Sequence, residues 1–90
     1  DISGIGTWQG KTGAIDIIAQ NNIREKLVAK CYWRKEPVTH TDFKELLNLA
    51  NMAKIKPKYY YIFAANDFDD KLKSLSAQLE SVVLIDIKSF

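Results

Sequence analysis

The sequence has little of what usually links or anchors a small protein. Cys31 is the single cysteine, so no internal disulfide is available and we expect a reducing, cytoplasmic environment. His40 is the single histidine and has no cysteine or histidine partner at ligand spacing, which excludes the common zinc motifs. No run of 18 apolar residues exists, so we expect no membrane segment. The first residues also lack the pattern of a secretory signal.

The length and the composition are those of one small globular domain. The 90 residues are 47% hydrophobic and 27% charged, which is ordinary for a packed protein. We therefore expect one domain over 1–90, with a loop over 1–13 and a folded core over 14–90. The chain begins with Asp1 rather than Met. We expect it to be the C-terminal fragment of a larger protein.

The charge is small in total but unevenly distributed. The net charge is +2, and residues 14–58 hold nine basic residues against five acidic ones. Residues 59–90 hold three basic against five acidic residues. A basic patch for nucleic acid is one interpretation of this bias, and solvated helix faces and strand ends are the other.

The first half of the core has the pattern of a hairpin. All four glycines lie within residues 1–13, and this is the basis for the predicted loop. The β-branched segment 14–19 ends at a polar turn, Gln20 to Asn22, and 25–33 follows as a second strand. The short connection predicts antiparallel pairing.

The second half alternates helix and strand. Helical spacing of apolar residues begins after Thr39, which forms a capping-box pattern with Asp42, and Pro57 marks the stop. A strand over 58–64, a helix capped by Asn66 or Asp67, and a strand over 82–87 follow. The predicted buried positions of the helices are Phe43, Leu46, Leu47, Ala50 and Ala53, then Phe68, Leu72, Leu75 and Leu79. The order β-β-α-β-α-β predicts an α/β mixed sheet with helices packed on it.

Asp16 is the first residue with a chemical implication. It lies inside an apolar strand, where an unpaired carboxylate is costly to bury. Such a residue has a function or a partner, or it lies close enough to the strand end to reach water.

Two segments of the chain resemble a known family. Residues 10–19, Gly-Lys-Thr-Gly-Ala-Ile-Asp-Ile-Ile-Ala, and 27–33, Leu-Val-Ala-Lys-Cys-Tyr-Trp, are similar to the core of PD-(D/E)xK nuclease-like domains. The likeness is greatest to Mrr-type restriction endonucleases and to the nuclease-like C-terminal domains of archaeal-type ATPases, and it extends over about residues 4–88. It implies a restriction-endonuclease-like fold.

The resemblance also implies a chemistry, metal-assisted phosphodiester hydrolysis. In the family an Asp on one strand and an acid-x-Lys motif on the next hold Mg²⁺ and activate water. Asp16 matches the Asp, but Lys30 stands in the acid position and Tyr32 in the Lys position. One carboxylate beside an ammonium is a poor site for a hard cation. We expect an Asp16–Lys30 ion pair with Tyr32 alongside, no bound metal and no cofactor.

Three functions remain open on this basis. The first is an inactive nuclease-like module that binds DNA or regulates an upstream ATPase domain of the same chain. The second is an active Mg²⁺-dependent DNA endonuclease with displaced residues, for which Glu36, Lys44 and Glu45 are the candidates. The third is a protein–protein interaction domain. The residues expected to contact nucleic acid are Lys11, Arg34, Lys35, Lys56 and Lys58.

Overall fold

The fold is a five-stranded mixed sheet with two helices. The computed structural model describes residues 2–10, 14–21 and 25–87. The elements in chain order are β1 Ile2–Gln9, β2 Ala14–Asn21, β3 Lys26–Tyr32, α1 His40–Met52, β4 Tyr59–Ala64, α2 Asp70–Gln78 and β5 Val82–Asp86.

The strands lie side by side in sequence order. β1, β2 and β3 form an antiparallel meander, and β3, β4 and β5 are parallel. The predicted antiparallel hairpin and the predicted parallel strands are therefore confirmed. The two helices are the crossover connections, which parallel neighbours require.

Both helices cover the same side of the sheet. Side chains of α1 and α2 share one core cluster with alternate residues of the strands, including Val28, Ile62 and Val82. Phe43 of α1 meets Tyr60 of β4 edge to face, with ring centroids 5.5 Å apart. We call this side of the sheet the helix face.

The opposite side of the sheet is called here the open face. Because strand side chains alternate, it carries the residues that lie between those of the helix face. Within the described ranges, no helix packs on it. Its residues include Ile5, Thr7, Gln9, Asp16, Ile17, Ala19, Leu27, Ala29, Cys31, Tyr59, Tyr61, Phe63, Val83 and Ile85.

The predicted loop over 1–13 is wrong, because residues 2–9 form strand β1. The glycines were interpreted as turn signals, yet no described glycine has a positive φ. Gly4 and Gly6 lie on an edge strand, where a Cβ would meet nothing within 4 Å. Trp8 packs against the core cluster and anchors the strand. The order is therefore β-β-β-α-β-α-β.

The start of α2 also differs from the prediction. Asp69, rather than Asn66 or Asp67, is the N-cap, and its carboxylate accepts a hydrogen bond from the backbone N–H of Leu72. The chain stays extended through a β-bridge between Val38 and Phe68. This bridge delays the first helical turn, and Asp67 takes a positive φ of 75° before it.

The buried faces of the helices are close to the prediction but not identical. The Thr39–Asp42 capping box is confirmed. In α1, Leu49 is buried and Leu47 is exposed, and α1 ends at Met52 rather than near Pro57. Leu79, expected in the core, is exposed because α2 ends at Gln78.

Neighbouring leucines of α1 provide a test of this packing. Leu46 is 0% exposed and Leu47 is 38% exposed. We expect Leu46→Ala to lower the free energy of unfolding by about 2–5 kcal/mol, because it leaves a cavity in the core. We expect Leu47→Ala to change it by less than about 1 kcal/mol. Urea denaturation of both variants measures the difference, and equal losses would contradict the observed helix orientation.

Candidate functional site

The strand that carries Asp16 contains a β-bulge. Gly6 of β1 pairs with Ile18, and Trp8 pairs with Ile15, so β2 advances three residues while β1 advances two. At this bulge two residues of β2, Asp16 and Ile17, lie opposite a single residue of β1. A bulge interrupts the ladder and redirects a side chain, and bulges are frequent next to active sites.

The Asp16 carboxylate replaces a main-chain acceptor at this bulge. Ala65 N–H donates to the Tyr32 carbonyl on the β4 side of β3, so the Cys31 N–H points toward β2. The regular β2–β3 pairing ends at Ile17 and Ala29. Beyond it, Cys31 N–H donates to Asp16 Oδ2 over 2.7 Å. This hydrogen bond gives Asp16 a structural role, and the predicted ion pair with Lys30 stays a prediction.

Lys30 and Tyr32 lie together on the helix face of β3. The Lys30 Nζ is 5.8 Å from the centroid of the Tyr32 ring, and the Arg34 guanidinium carbon is 5.1 Å from it. Burial, and after it the charge of Asp42, raises the pKa of the Tyr32 hydroxyl far above its ordinary value. Tyr32 is therefore a neutral phenol at physiological pH. It supplies neither the charge of the family lysine nor a base.

The Cys31 side chain, which lies between Lys30 and Tyr32 in the sequence, is also a weak nucleophile. Burial, followed by the negative charge of Asp16, raises the pKa of Cys31, although Lys30 lowers it in part. A thiol with a raised pKa contains little thiolate at neutral pH. Cys31 is therefore a poor nucleophile at this site.

Arg34 links the end of β3 to the start of α1. Its guanidinium forms an ion pair with Asp42 and donates to the carbonyls of Glu36 and Pro37. Asp42 also accepts from the N–H and the hydroxyl of Thr39. Burial raises the pKa of Asp42, but the hydrogen bonds from Arg34 and Thr39 outweigh it and hold that pKa below its ordinary value. Arg34 is thus engaged in a structural contact.

The charge of Glu45, on α1, is one of the smaller causes of the raised pKa of Tyr32. Among residues 2–10, 14–21 and 25–87, no three His, Cys, Asp or Glu side chains group as metal ligands.

The described basic residues that were predicted to contact nucleic acid lie in two groups, at opposite ends of β3. Lys58 forms an ion pair with Glu25, and its backbone N–H donates to Lys26 at the start of β3. Arg34 and Lys35 follow the other end of β3, about 20 Å away for a strand of this length. Lys56 is exposed near Lys58. Lys11 lies outside the described residues.

The open face is the feature that sequence reasoning missed. Tyr59 and Tyr61 line a depression of about 170 Å³ on this face with Ala19 and Leu27. The lining also includes Gln20, Lys26 and the ion-paired Glu25 and Lys58. The available signal was the sequence of β4, Tyr-Tyr-Tyr-Ile-Phe-Ala, which is apolar or aromatic at every position and does not alternate. A strand without alternation has two faces to bury, and the helices cover one of them.

Comparison with known proteins supports the fold alone. No family profile matches the chain, and no curated protein matches its sequence. A crystal structure described as a protein of unknown function, AF1548, superposes with a TM-score of 0.59 at 15% identity. The alignment covers 96% of this chain and 48% of that one, so the chain spans about half the length of this structural neighbour.

None of the helices in the described part of the chain is long and apolar enough to cross a bilayer.

Asp16 can be tested as a hydrogen-bond acceptor. We expect Asp16→Ala to lower the free energy of unfolding by about 1–3 kcal/mol, because it leaves the Cys31 N–H without its acceptor. Asp16→Asn keeps a carbonyl oxygen in place, so we expect it to lose less than half as much. Urea denaturation measures both. Equal losses would show that the negative charge matters more than the acceptor, as an ion pair with Lys30 requires.

The Arg34–Asp42 contact predicts a pH dependence of stability. The folded-state pKa of Asp42 is lowered, so its contribution is present above the unfolded pKa of about 3.9 and is lost as pH falls through the folded value. We expect Asp42→Asn to be less stable than the wild type by about 1–2 kcal/mol at neutral pH. The difference in the free energy of unfolding between the two proteins should shrink below about pH 4. Urea denaturation from neutral to acidic pH measures it, and a constant gap would contradict the assignment.

Proposed function

We propose that the chain is a PD-(D/E)xK nuclease-like domain that has lost its cleavage chemistry and regulates or positions a larger cytoplasmic, DNA-associated protein. The finer fold assignment within this proposal is restriction-endonuclease-like. An ATPase domain in the same polypeptide is the proposed partner. The arrangement of β2 and β3 supports this proposal.

The relation between two neighbouring strands supports the fold part of the proposal. The family resemblance implies an acid on one strand and an acid-x-Lys motif on the next. Here Asp16 lies on β2, and Lys30 and Tyr32 lie on the adjacent strand β3, on one face and two residues apart. Asp16 contacts the backbone of β3 directly through Cys31. The three positions are therefore close enough to correspond to such a site.

The contacts of these residues carry the proposal that cleavage is lost. One Asp16 oxygen is used by the Cys31 amide, and the acid position holds an ammonium. The lysine position holds a half-buried phenol packed between Lys30 and Arg34. A divalent cation beside Asp16 would have one carboxylate as ligand, and one oxygen of that carboxylate already accepts from the Cys31 amide. The cation would also lie close to the positive charges of Lys30 and Arg34. Both conditions oppose the binding of Mg²⁺.

A regulatory role is favoured over strong DNA binding. Neutralising several phosphates needs cations gathered along one surface. Arg34 and Lys58 are each in an ion pair, and they mark opposite ends of β3. Any DNA contact would then use one end of the domain, through Lys56 and Lys58 or through Lys35, and would be weak and sensitive to salt.

An active nuclease with displaced residues is the second candidate, and one observation favours it. The negative charges of Glu45 and Asp16 both contribute to the raised pKa of the Tyr32 hydroxyl, so both carboxylates act on the same ring. Two carboxylates and a water shell are enough for Mg²⁺ in some sites. This candidate predicts that cleavage depends on both Asp16 and Glu45.

Restoring the acid-x-Lys motif tests whether Lys30 and Tyr32 stand at the positions of the family acid and lysine. We expect the double variant Lys30→Glu, Tyr32→Lys to bind Mg²⁺ or Mn²⁺ at least tenfold more tightly than the wild type, because the site gains a carboxylate and loses an adjacent ammonium. Isothermal titration calorimetry measures the affinity. Adding Asp16→Ala to the double variant should remove the gain.

The control is Gln78→Glu on the exposed end of α2, which adds one carboxylate and lowers the net charge by the same one unit away from Lys30 and Tyr32. If it gains as much affinity, the effect is general electrostatics and the placement of the motif is wrong. Wild-type protein should cut neither single-stranded nor duplex DNA with Mg²⁺ or Mn²⁺. Cutting that Asp16→Ala and Glu45→Gln both abolish would replace this proposal with the displaced-site nuclease.

A further inference from the structure

The depression on the open face has an apolar and aromatic floor. Ala19, Leu27 and Tyr59 are paired neighbours on three adjacent strands, and they line the depression in one row across the sheet. Tyr61, two residues further along β4, lines it as well. The rings of Tyr59 and Tyr61 meet at 66° with their centroids 6.3 Å apart, so they form a corner rather than a flat stack. A planar ring placed in this corner contacts aromatic surface on two sides, an arrangement that aromatic groups favour.

The rim of the depression is charged, and the two signs are not balanced. Among the described residues that line it, Lys26 and Lys58 are basic and Glu25 is acidic. The Lys58 Nζ lies 2.5 Å from the Glu25 Oε2 and 5.8 Å from the centroid of the Tyr59 ring. An ammonium is therefore present beside an aromatic wall of the depression. The excess of positive charge at the rim favours an anionic group over a cationic one.

The ion pair at the rim leaves its lysine able to bind a further group. The side chains of Lys58 and Glu25 are 52% and 34% exposed. Exposed ion pairs contribute little to stability, because water competes for both charges. An ammonium also has three hydrogens to donate, and one carboxylate oxygen does not use them all. A second anion can therefore bind the same ammonium, with Glu25 as its competitor.

The size of the depression limits the apolar part of a ligand to about one ring. Its volume is about 170 Å³. An apolar cavity of about 150 Å³ accepts a benzene molecule. Binding sites for small molecules usually combine an apolar lining with a few polar groups that fix the orientation of the ligand. The aromatic corner and the adjacent ammonium are such a combination.

We propose that this depression binds a single planar ring that carries an anionic group. The ring packs in the corner of Tyr59 and Tyr61 over Leu27, and the anionic group lies at Lys58. A one-ring aromatic carboxylate and a pyrimidine nucleotide share this chemistry. The proposal does not depend on the nuclease-like function, because the depression lies near the start of β3 and on the opposite face of the sheet from Lys30.

Titration of the isotope-labelled 90-residue chain by two-dimensional NMR tests the proposal. Phenylacetate and uridine monophosphate are the probes, and the tighter of them identifies the source of the ring and the anion. We expect it to bind with a dissociation constant of about 1 mM, as for a ligand of about ten non-hydrogen atoms, and to shift the amide signals of Leu27, Tyr59 and Tyr61. Benzyl alcohol, a ring without charge, and acetate, a charge without a ring, should each bind about fivefold more weakly or less.

Two charge variants should change the affinity for the tighter probe in opposite directions. Lys58→Gln removes the ammonium and should weaken binding by about fivefold or more. Glu25→Gln removes the competing carboxylate and should tighten binding by about twofold or more. Lys71→Gln is the matched control, since Lys71 is an exposed lysine of α2 on the other side of the sheet, and it should leave the dissociation constant unchanged.

Ala19→Leu should abolish binding, because its larger side chain fills the floor where the ring would lie. Circular dichroism reports whether this variant folds, and the opposite effects of the two charge variants test the proposal if it does not. The proposal is wrong if neither probe shifts these amide signals at concentrations well above the expected dissociation constant. Binding of benzylamine as tight as that of phenylacetate, or equal effects of Lys58→Gln and Lys71→Gln, would also overturn it.

Discussion

The structure depends on one constraint, the placement of both crossover helices on the same side of the sheet. The chain moves from β3 to β4 and from β4 to β5 in the same direction across the sheet. Right-handed crossovers that step in one direction put their helices on one side. The buried apolar residues of α1 and α2 therefore meet one face of the strands, in a single core cluster. The other face has no such cover among the described residues.

Because the helices cover one side of the sheet only, they also determine what surrounds Lys30 and Tyr32. Lys30 and Tyr32 lie on the helix face, beside the start of α1. The ring of Tyr32 is packed under Arg34, and Arg34 is held by Asp42, the residue that also completes the helix cap. Tyr32 is thus part of the link between β3 and α1.

Much of the fold could be predicted from local patterns. The hairpin of β2 and β3 has a short polar turn between β-branched segments, and the capping box at Thr39 has its acid three residues on. These signals are local because the interactions are local. Strand β1 could not be predicted in the same way, because Gly4 and Gly6 are poor strand formers by themselves. They are held by pairing with β2 and by the burial of Trp8.

The sequence by itself determined the alternation of strands and helices and the cap of α1, since each depends on neighbours within a few positions of the chain. The tertiary structure decided what those residues do. Asp16 reaches the Cys31 amide because a bulge shifts the β1–β2 register, and Arg34 and Lys58 are separated by the length of β3. It also decided that Tyr61 faces outward while Tyr60 is packed, because only the side on which the helices lie distinguishes two apolar faces of one strand.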